Sequence, residues 1–155
     1  MEARWMDLLD LEPVVGMSVH ILKKDPRKTI RSIQKIHRNA VMVVTHENSV
    51  VGYMLYRHEG NAVRILQLCV IPQLRRKGGG TSMLRMLLDG YAIADIPKPI
   101  EVIIGERDSV AQKFFKSLGF KASEILKDHF KSQDAYVFKY TFDKVIKENA
   151  NGIEL

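Results

Sequence analysis

Cysteine is almost missing from this sequence: Cys69 stands alone among 155 residues. A single thiol excludes an internal disulfide and supplies no metal cluster. It lies inside the apolar run LQLCVIP, where it reads as a small buried side chain of a reduced, cytoplasmic protein. Long apolar runs are missing as well, and none approaches the roughly 20 residues that a membrane-crossing helix needs. The opening MEARWMDLLDLEPVVG carries acidic residues where a secretory leader would carry a basic stretch and then an apolar one. Internal repeats and low-complexity tracts are absent too.

What is present suits one domain spanning 1–155, long enough to bury a core without staples. Hydrophobic residues make up 46% of the chain and charged residues 27%, the balance of an ordinary globular protein. The net charge of +6 favours anionic partners. Phosphates on a small cofactor satisfy that as well as nucleic acid does, so charge alone does not choose.

The order of elements is legible. Glu2 to Met6 reads as a first strand or extended lead-in. Asp7 reads as the cap of a helix through LLDLEPVVGMSVHIL, which Pro13 and Gly16 are expected to bend or interrupt. A cleaner helix follows in DPRKTIRSIQKIH, with Asp25 as cap, Pro26 in the first turn, and Ile30, Ile33 and Ile36 at helical spacing. AVMVV (40–44), SVVGYMLYRH (49–58) and AVRILQLCVI (62–71) read as strands of an antiparallel meander, joined by the turns HEN and EGN. TSMLRMLLDGYAIA carries Met83, Leu84, Leu87 and Leu88 as one apolar stripe. PIEVIIGE (99–106) is a strand, Asp108 caps the helix SVAQKFFKSL, and Gly119 ends it. Strands near 121–127 and 134–142 close the core, which runs from about 3 to 142; residues 143–155 read as a loosely ordered tail. Meander, helix, strand, helix and two strands predict an α/β (α+β) domain, a mixed and mostly antiparallel sheet with helices on both faces.

The segment RRKGGGTSML (75–84) admits three readings: a flexible linker, a nucleic-acid patch, or a loop moulded around phosphate. It is not the Walker type, since no Lys-Ser/Thr pair follows the last glycine, and it is not the dinucleotide fingerprint. A nucleic-acid patch brings exposed aromatics or a recognition helix, whereas the helix here commits its face to leucines and methionines. Pro72 ends the preceding strand, and the loop opens straight into a helix whose first amides lack internal partners. Gly78, Gly79 and Gly80 leave the backbone open to a ligand. Thr81 and Ser82 add hydroxyls, and Arg75, Arg76 and Lys77 add charge, so pyrophosphate is the occupant that this context favours.

LQLCVIPQLRRKGGGTSML resembles the acetyl-CoA-binding segment of the GNAT N-acetyltransferases, with its V-x-P strand end and R/Q-x-x-G-x-G/A loop. DSVAQKFFKSLGF is similar to that family's next helix, and NSVVGYMLYRHEGNAVRILQLCVIP to its preceding hairpin. The likeness covers about residues 3 to 142 and is strongest, in ARWMDLLDLEPV, FFKSLGF and LKDHFKSQDAYVFKY, to the ribosomal-protein-alanine N-acetyltransferase branch. It implies a V-shaped split between the parallel strands LQLCVI and EVIIGE, entered by acetyl-CoA as co-substrate, with no metal. The thioester would pair with backbone at Leu68, Cys69 and Val70, the pyrophosphate would lie on Arg75 to Gly80, and Thr81 would extend that contact. Asp108 stands where relatives carry an asparagine on the pantetheine arm; an ionised aspartate accepts but does not donate.

Acetyl transfer needs a free amine, hence a base, and a donor near the leaving thiolate. The branch it resembles uses a glutamate and a tyrosine; the positions that match here are Ile103 and Phe115, both inert. The candidates to replace them are Glu101 and Glu106 on or near the EVIIGE strand, and Tyr136 and Tyr140 on the last strand. Tyr53, Tyr56, His129 and Gln67 complete the set, Gln67 as a group that positions water. Each has a plainer role: solvated acids, packed aromatics, a loop histidine. An amine attacks a thioester readily once held against it, so two functions remain. One is an acetyl-CoA-dependent N-acetyltransferase acting on a protein N-terminus or a small amine; the other is an acyl-CoA-binding regulatory module with little turnover. RNA or ribosome binding rests on charge alone, no membrane partner is indicated, and the oligomeric state is not readable.

Overall fold

The computed structural model describes residues 1–35, 39–94 and 97–142. Ile36 and the tail at 143–155 fall outside the described residues. Seven strands form one sheet: β1 (Glu2–Trp5), β2 (Asn39–His46), β3 (Ser49–Glu59), β4 (Ala62–Val70), β5 (Ile100–Gly105), β6 (Lys121–Phe130) and β7 (Gln133–Tyr140). Four α-helices cover it: α1 (Leu11–His20), α2 (Pro26–Gln34), α3 (Gly79–Ala92) and α4 (Ser109–Ser117). The strand order is β1-β2-β3-β4-β5-β7-β6, and among the described residues only the β4–β5 pair is parallel.

The chain enters through a capped turn that differs from the expectation. Asp7 caps a short 3₁₀ turn (Leu8–Asp10), accepting from the Leu9 N–H at 2.8 Å, and the Asp10 carboxylate accepts in return from the Asp7 N–H at 2.9 Å. Helix α1 starts only at Leu11 and then runs without a break through Pro13 and Gly16. Pro13 is tolerated because it is the third residue of the helix, where an N–H would lack an internal acceptor anyway. Helix α2 agrees with its sequence signals: Asp25 accepts from the Arg27 N–H at 2.9 Å, and Pro26 opens the first turn.

Strand alternation sorts the core into two layers. Met42, Met54, Tyr56, Val63 and Ile65 face α3 and α4, where they meet Met83, Leu84, Leu87 and Phe115. Val41, Val43, Tyr53, Leu55 and Cys69 face α1 and α2, where they meet Val14, Met17 and Ile33. In β5, Ile100, Val102 and Ile104 join the first layer, leaving Glu101, Ile103 and Gly105 on the other face. A T-shaped aromatic stack, Phe114–Phe115–Phe120, anchors α4 to the sheet with ring centroids 5.1–5.2 Å apart. Burial of each such side chain contributes about 1.5–3 kcal/mol. Gly119, at φ +95°, turns the chain out of α4 into β6.

Candidate active site

The functional geometry begins where two strands separate. β4 and β5 are paired only through Val63–Ile100, Arg64–Glu101 and Ile65–Val102. β3 holds the opposite edge of β4 as far as Gly52–Val70. Among the described residues, the edge of β4 that faces β5 therefore has no strand partner from Leu66 to Val70. A β-bulge sits at the parting point: Tyr56 opposes Ile65 and Leu55 opposes Gln67, so Leu66 is the extra residue. The register then brings Gln67 to the face of Leu55, the side of α1 and α2.

Two adjoining cavities fill the split. The smaller, about 360 Å³, lies between the strands and is lined by Leu66, Gln67, Ile103, Gly105, Phe130 and Gln133 among others. The larger groove, about 870 Å³, runs past the end of β4 and is lined by Leu68, Cys69, Val70, Arg75, Arg76, the loop Gly78–Thr81 and Phe114. Leu68, Asp108, Ala111 and Phe115 border both.

The glycine loop has the conformation of an anion cradle. After a 3₁₀ turn at Pro72–Leu74, the chain takes positive φ at Arg76 (+63°) and Gly78 (+89°), and α3 starts at Gly79. The first intrahelical bond runs from the Ser82 N–H to the Gly78 carbonyl, at 2.9 Å. The N–H groups of Gly79, Gly80 and Thr81 precede it and carry the positive end of the helix dipole. Arg75 is partly engaged, its Nε–H donating to the Val70 carbonyl at 3.2 Å, which ties the loop back to the strand. Gly80 has a packing reason beyond ligand approach: a Cβ there would lie 3.1 Å from the Phe114 ring. Lys77 is exposed and, like Ser82, does not line the groove.

Asp108 sits at the junction of the two cavities. Its Oδ1 accepts from the Ala111 N–H at 3.0 Å and caps α4, so this carboxylate is engaged with the helix. Gln112, which the sequence did not single out, donates from Nε2 to the carbonyls of Gly105 and Glu106, both at 3.0 Å. It locks α4 against the end of β5 and so holds the second wall of the split.

Six of the catalytic candidates are not brought to the cleft. Glu101 lies in the paired part of the strands, below the split, with Arg64 Nη2 at 3.0 Å and Lys139 Nζ at 3.4 Å; it is an ion-pair hub. Glu106 lies beyond β5, exposed, its Oε1 accepting from the Asp134 N–H at 3.3 Å. Tyr136 opposes Ile104 and packs with Phe138 on the α3–α4 face, away from the Ile103 side. Tyr140 opposes Ile100 on the same face and stacks on Phe120. His129 belongs to strand β6 rather than a loop, exposed and edge-on to Phe130. Tyr56 is buried against Trp5 and His58 on the α3 side, and burial pushes its phenol well above the usual range. Phe115 and Ile103 do line the cleft, and both are apolar.

Gln67 is the candidate that the fold does place in the cleft. Its Oε1 accepts from the Tyr53 hydroxyl. Tyr53 is fully buried, and burial, then the neighbouring Cys69, raise its pKa, so it stays a protonated donor. Burial also pushes the Cys69 thiol up to about 11, which leaves it an inert wall residue. Among the described residues no group of His, Cys, Asp or Glu has metal-holding geometry, and no helix is long and apolar enough to cross a membrane.

The cleft is thus a parallel strand pair that parts at a bulge, followed by a glycine turn into a helix, and comparison gives the family. The model of the acetyltransferase (GNAT) domain matches residues 37–122. That is more than half of the chain, which belongs to the GNAT acetyltransferase family. Solved structures share the fold. smu.2055 from Streptococcus mutans superposes with a TM-score of 0.78 at 20% identity, covering 92% of this chain and 100% of that one. The ribosomal-protein-S18-alanine N-acetyltransferase from Escherichia coli gives 0.75 at 14% identity, covering 88% and 90%. Arabidopsis thaliana NAA60 in complex with acetyl-CoA gives 0.74 at 15% identity, covering 89% and 96%. No curated protein matches the sequence.

Proposed function

We propose that the protein is an acetyl-CoA-dependent N-acetyltransferase that passes an acetyl group to a primary amine, on a protein N-terminus or a small molecule. The observation that carries this reading is the parting of β4 and β5 directly above the Gly78–Thr81 turn. The unpartnered edge at 66–70 offers backbone groups to an extended amide-bearing chain, and the α3 amides with Arg76 offer charge and donors to a pyrophosphate. The acetyl-CoA complex among the structural neighbours supports the same co-substrate. Cytoplasmic residence fits the buried, reduced Cys69.

In the reaction, the amine lone pair attacks the thioester carbonyl, the C–S bond breaks, and the thiolate leaves while the amine gives up a proton to solvent. This chain's residues supply proximity and exclusion of water through Ile103, Phe115 and Phe130; holding the two reactants in place is a large part of the barrier reduction in such a transfer. Those same inert side chains favour a second reading, an acyl-CoA-binding regulatory module with little turnover. A thiol-release assay with acetyl-CoA on N-terminal peptides and polyamines separates the two. Release with any acceptor supports the transferase, and tight binding without release supports the module.

A further inference from the structure

Two carboxamides face the smaller cavity, and the protein occupies the oxygen of each. Gln67 Oε1 accepts from the Tyr53 hydroxyl. Gln133 Oε1 accepts from the Arg107 backbone N–H at 3.2 Å, a donor that fixes which way this amide is turned. Gly105 makes room for it: a Cβ there would lie 3.0 Å from Gln133 Oε1. Neither Nε2 group has a hydrogen-bond partner among the described residues, and both residues line the cavity. The cleft thus offers N–H donors. Among the described lining residues the one titratable group, Asp108, is committed to the α4 cap.

We propose that Gln67 and Gln133 are the acceptor-positioning pair, donating from Nε2 to a carbonyl oxygen adjacent to the reactive amine. The acceptor they fit is an α-amino carbonyl compound, and an alkylamine lacks the oxygen they read. This rests on the transferase reading above and sharpens it. The missing base points the same way. An amine must arrive neutral, and at pH 7.5 roughly 30% of an α-amine is neutral against roughly 0.1% of an alkylammonium. An acceptor with a neighbouring carbonyl supplies the low pKa that the cleft does not create. Tyr53 serves by holding Gln67 in its donor orientation.

The test compares two acceptors of low amine pKa, a free N-terminal tetrapeptide and trifluoroethylamine, which has no carbonyl. In Gln67→Leu, KM for the peptide rises about tenfold, the weight of one well-placed hydrogen bond, while KM for trifluoroethylamine moves by less than about twofold. Tyr53→Phe gives a smaller rise in the same direction. Gln133→Leu, on the surface hairpin, repeats the measurement should Gln67→Leu fail to fold. Equal shifts for both acceptors, or none, overturn the proposal. Absence of acetyl-CoA binding by the unaltered protein overturns instead the transferase reading beneath it.

Discussion

Ile65 of β4 and Val102 of β5 are the last facing pair between the two central strands, and above them the sheet opens. Everything assigned to the cleft lies on the open side of that pair. Everything below it is held by ordinary sheet pairing and by the charges around Glu101. The boundary leaves Glu101, a carboxylate only two residues from Ile103, in the paired part of the strands.

Glu101 is expected to be structural. Glu101→Gln removes the charge that Arg64 and Lys139 share and lowers stability by about 1–3 kcal/mol. Turnover with saturating substrates should stay within about twofold, since hydrogen bonds below the split do not touch the reacting groups. Thermal melts beside thiol-release rates check both halves; a loss of rate of a hundredfold in a folded variant would assign Glu101 to the chemistry.

Asp10 ties the lead-in strand to the rest of the protein and gives acid sensitivity. The Arg4 guanidinium holds it bidentately at 2.7 and 3.0 Å, and with the Asp7 N–H it keeps the carboxyl below its ordinary value of 3.8. A carboxyl lowered in the folded state stabilises fully above its unfolded pKa, and the stabilisation fades as pH falls through the folded value. Asp10→Asn should therefore cost about 1–2 kcal/mol at neutral pH, and the difference from the parent should shrink below about pH 3.8. Urea denaturation across pH 2–7 measures it.

Phe115 borders both cavities at the position where the resembled branch carries a tyrosine. Phe115→Tyr adds a donor beside the expected path of the leaving thiolate. It should raise the thiol-release rate about tenfold, a modest share of what a positioned acid contributes, without tightening acetyl-CoA binding. An unchanged or lower rate in a folded variant would show that this wall needs only to exclude water.

The meander, the Pro72 strand end and the glycine turn were readable because each is a local signal: alternation, a missing N–H, a backbone without Cβ. The placements of Glu101, Tyr136 and Tyr140 were not, because they depend on register. Only the pairing of Ile104 with Tyr136 and of Glu101 with Lys139 decides which face each side chain takes. Gln133 reaches the cleft through the β6–β7 hairpin, 28 residues beyond Gly105, and no spacing rule connects the two. Pro13 misled as a helix breaker since its place in the first turn depended on α1 starting at Leu11, after a 3₁₀ turn that its sequence does not distinguish from a longer helix.

The central claim is that the split above Ile65 and Val102, with the turn at Gly78–Thr81, holds acetyl-CoA. Calorimetric titration of acetyl-CoA into the unaltered protein and into Gly78→Asp tests it most directly. The left-handed backbone at Gly78 accepts aspartate better than most residues, and a Cβ there meets nothing within 4 Å, so the variant should fold. The account predicts one-to-one binding to the unaltered protein and an affinity at least about tenfold weaker in Gly78→Asp, from a negative charge set against the pyrophosphate. No binding by the unaltered protein, or equal affinity in the folded variant, would contradict it.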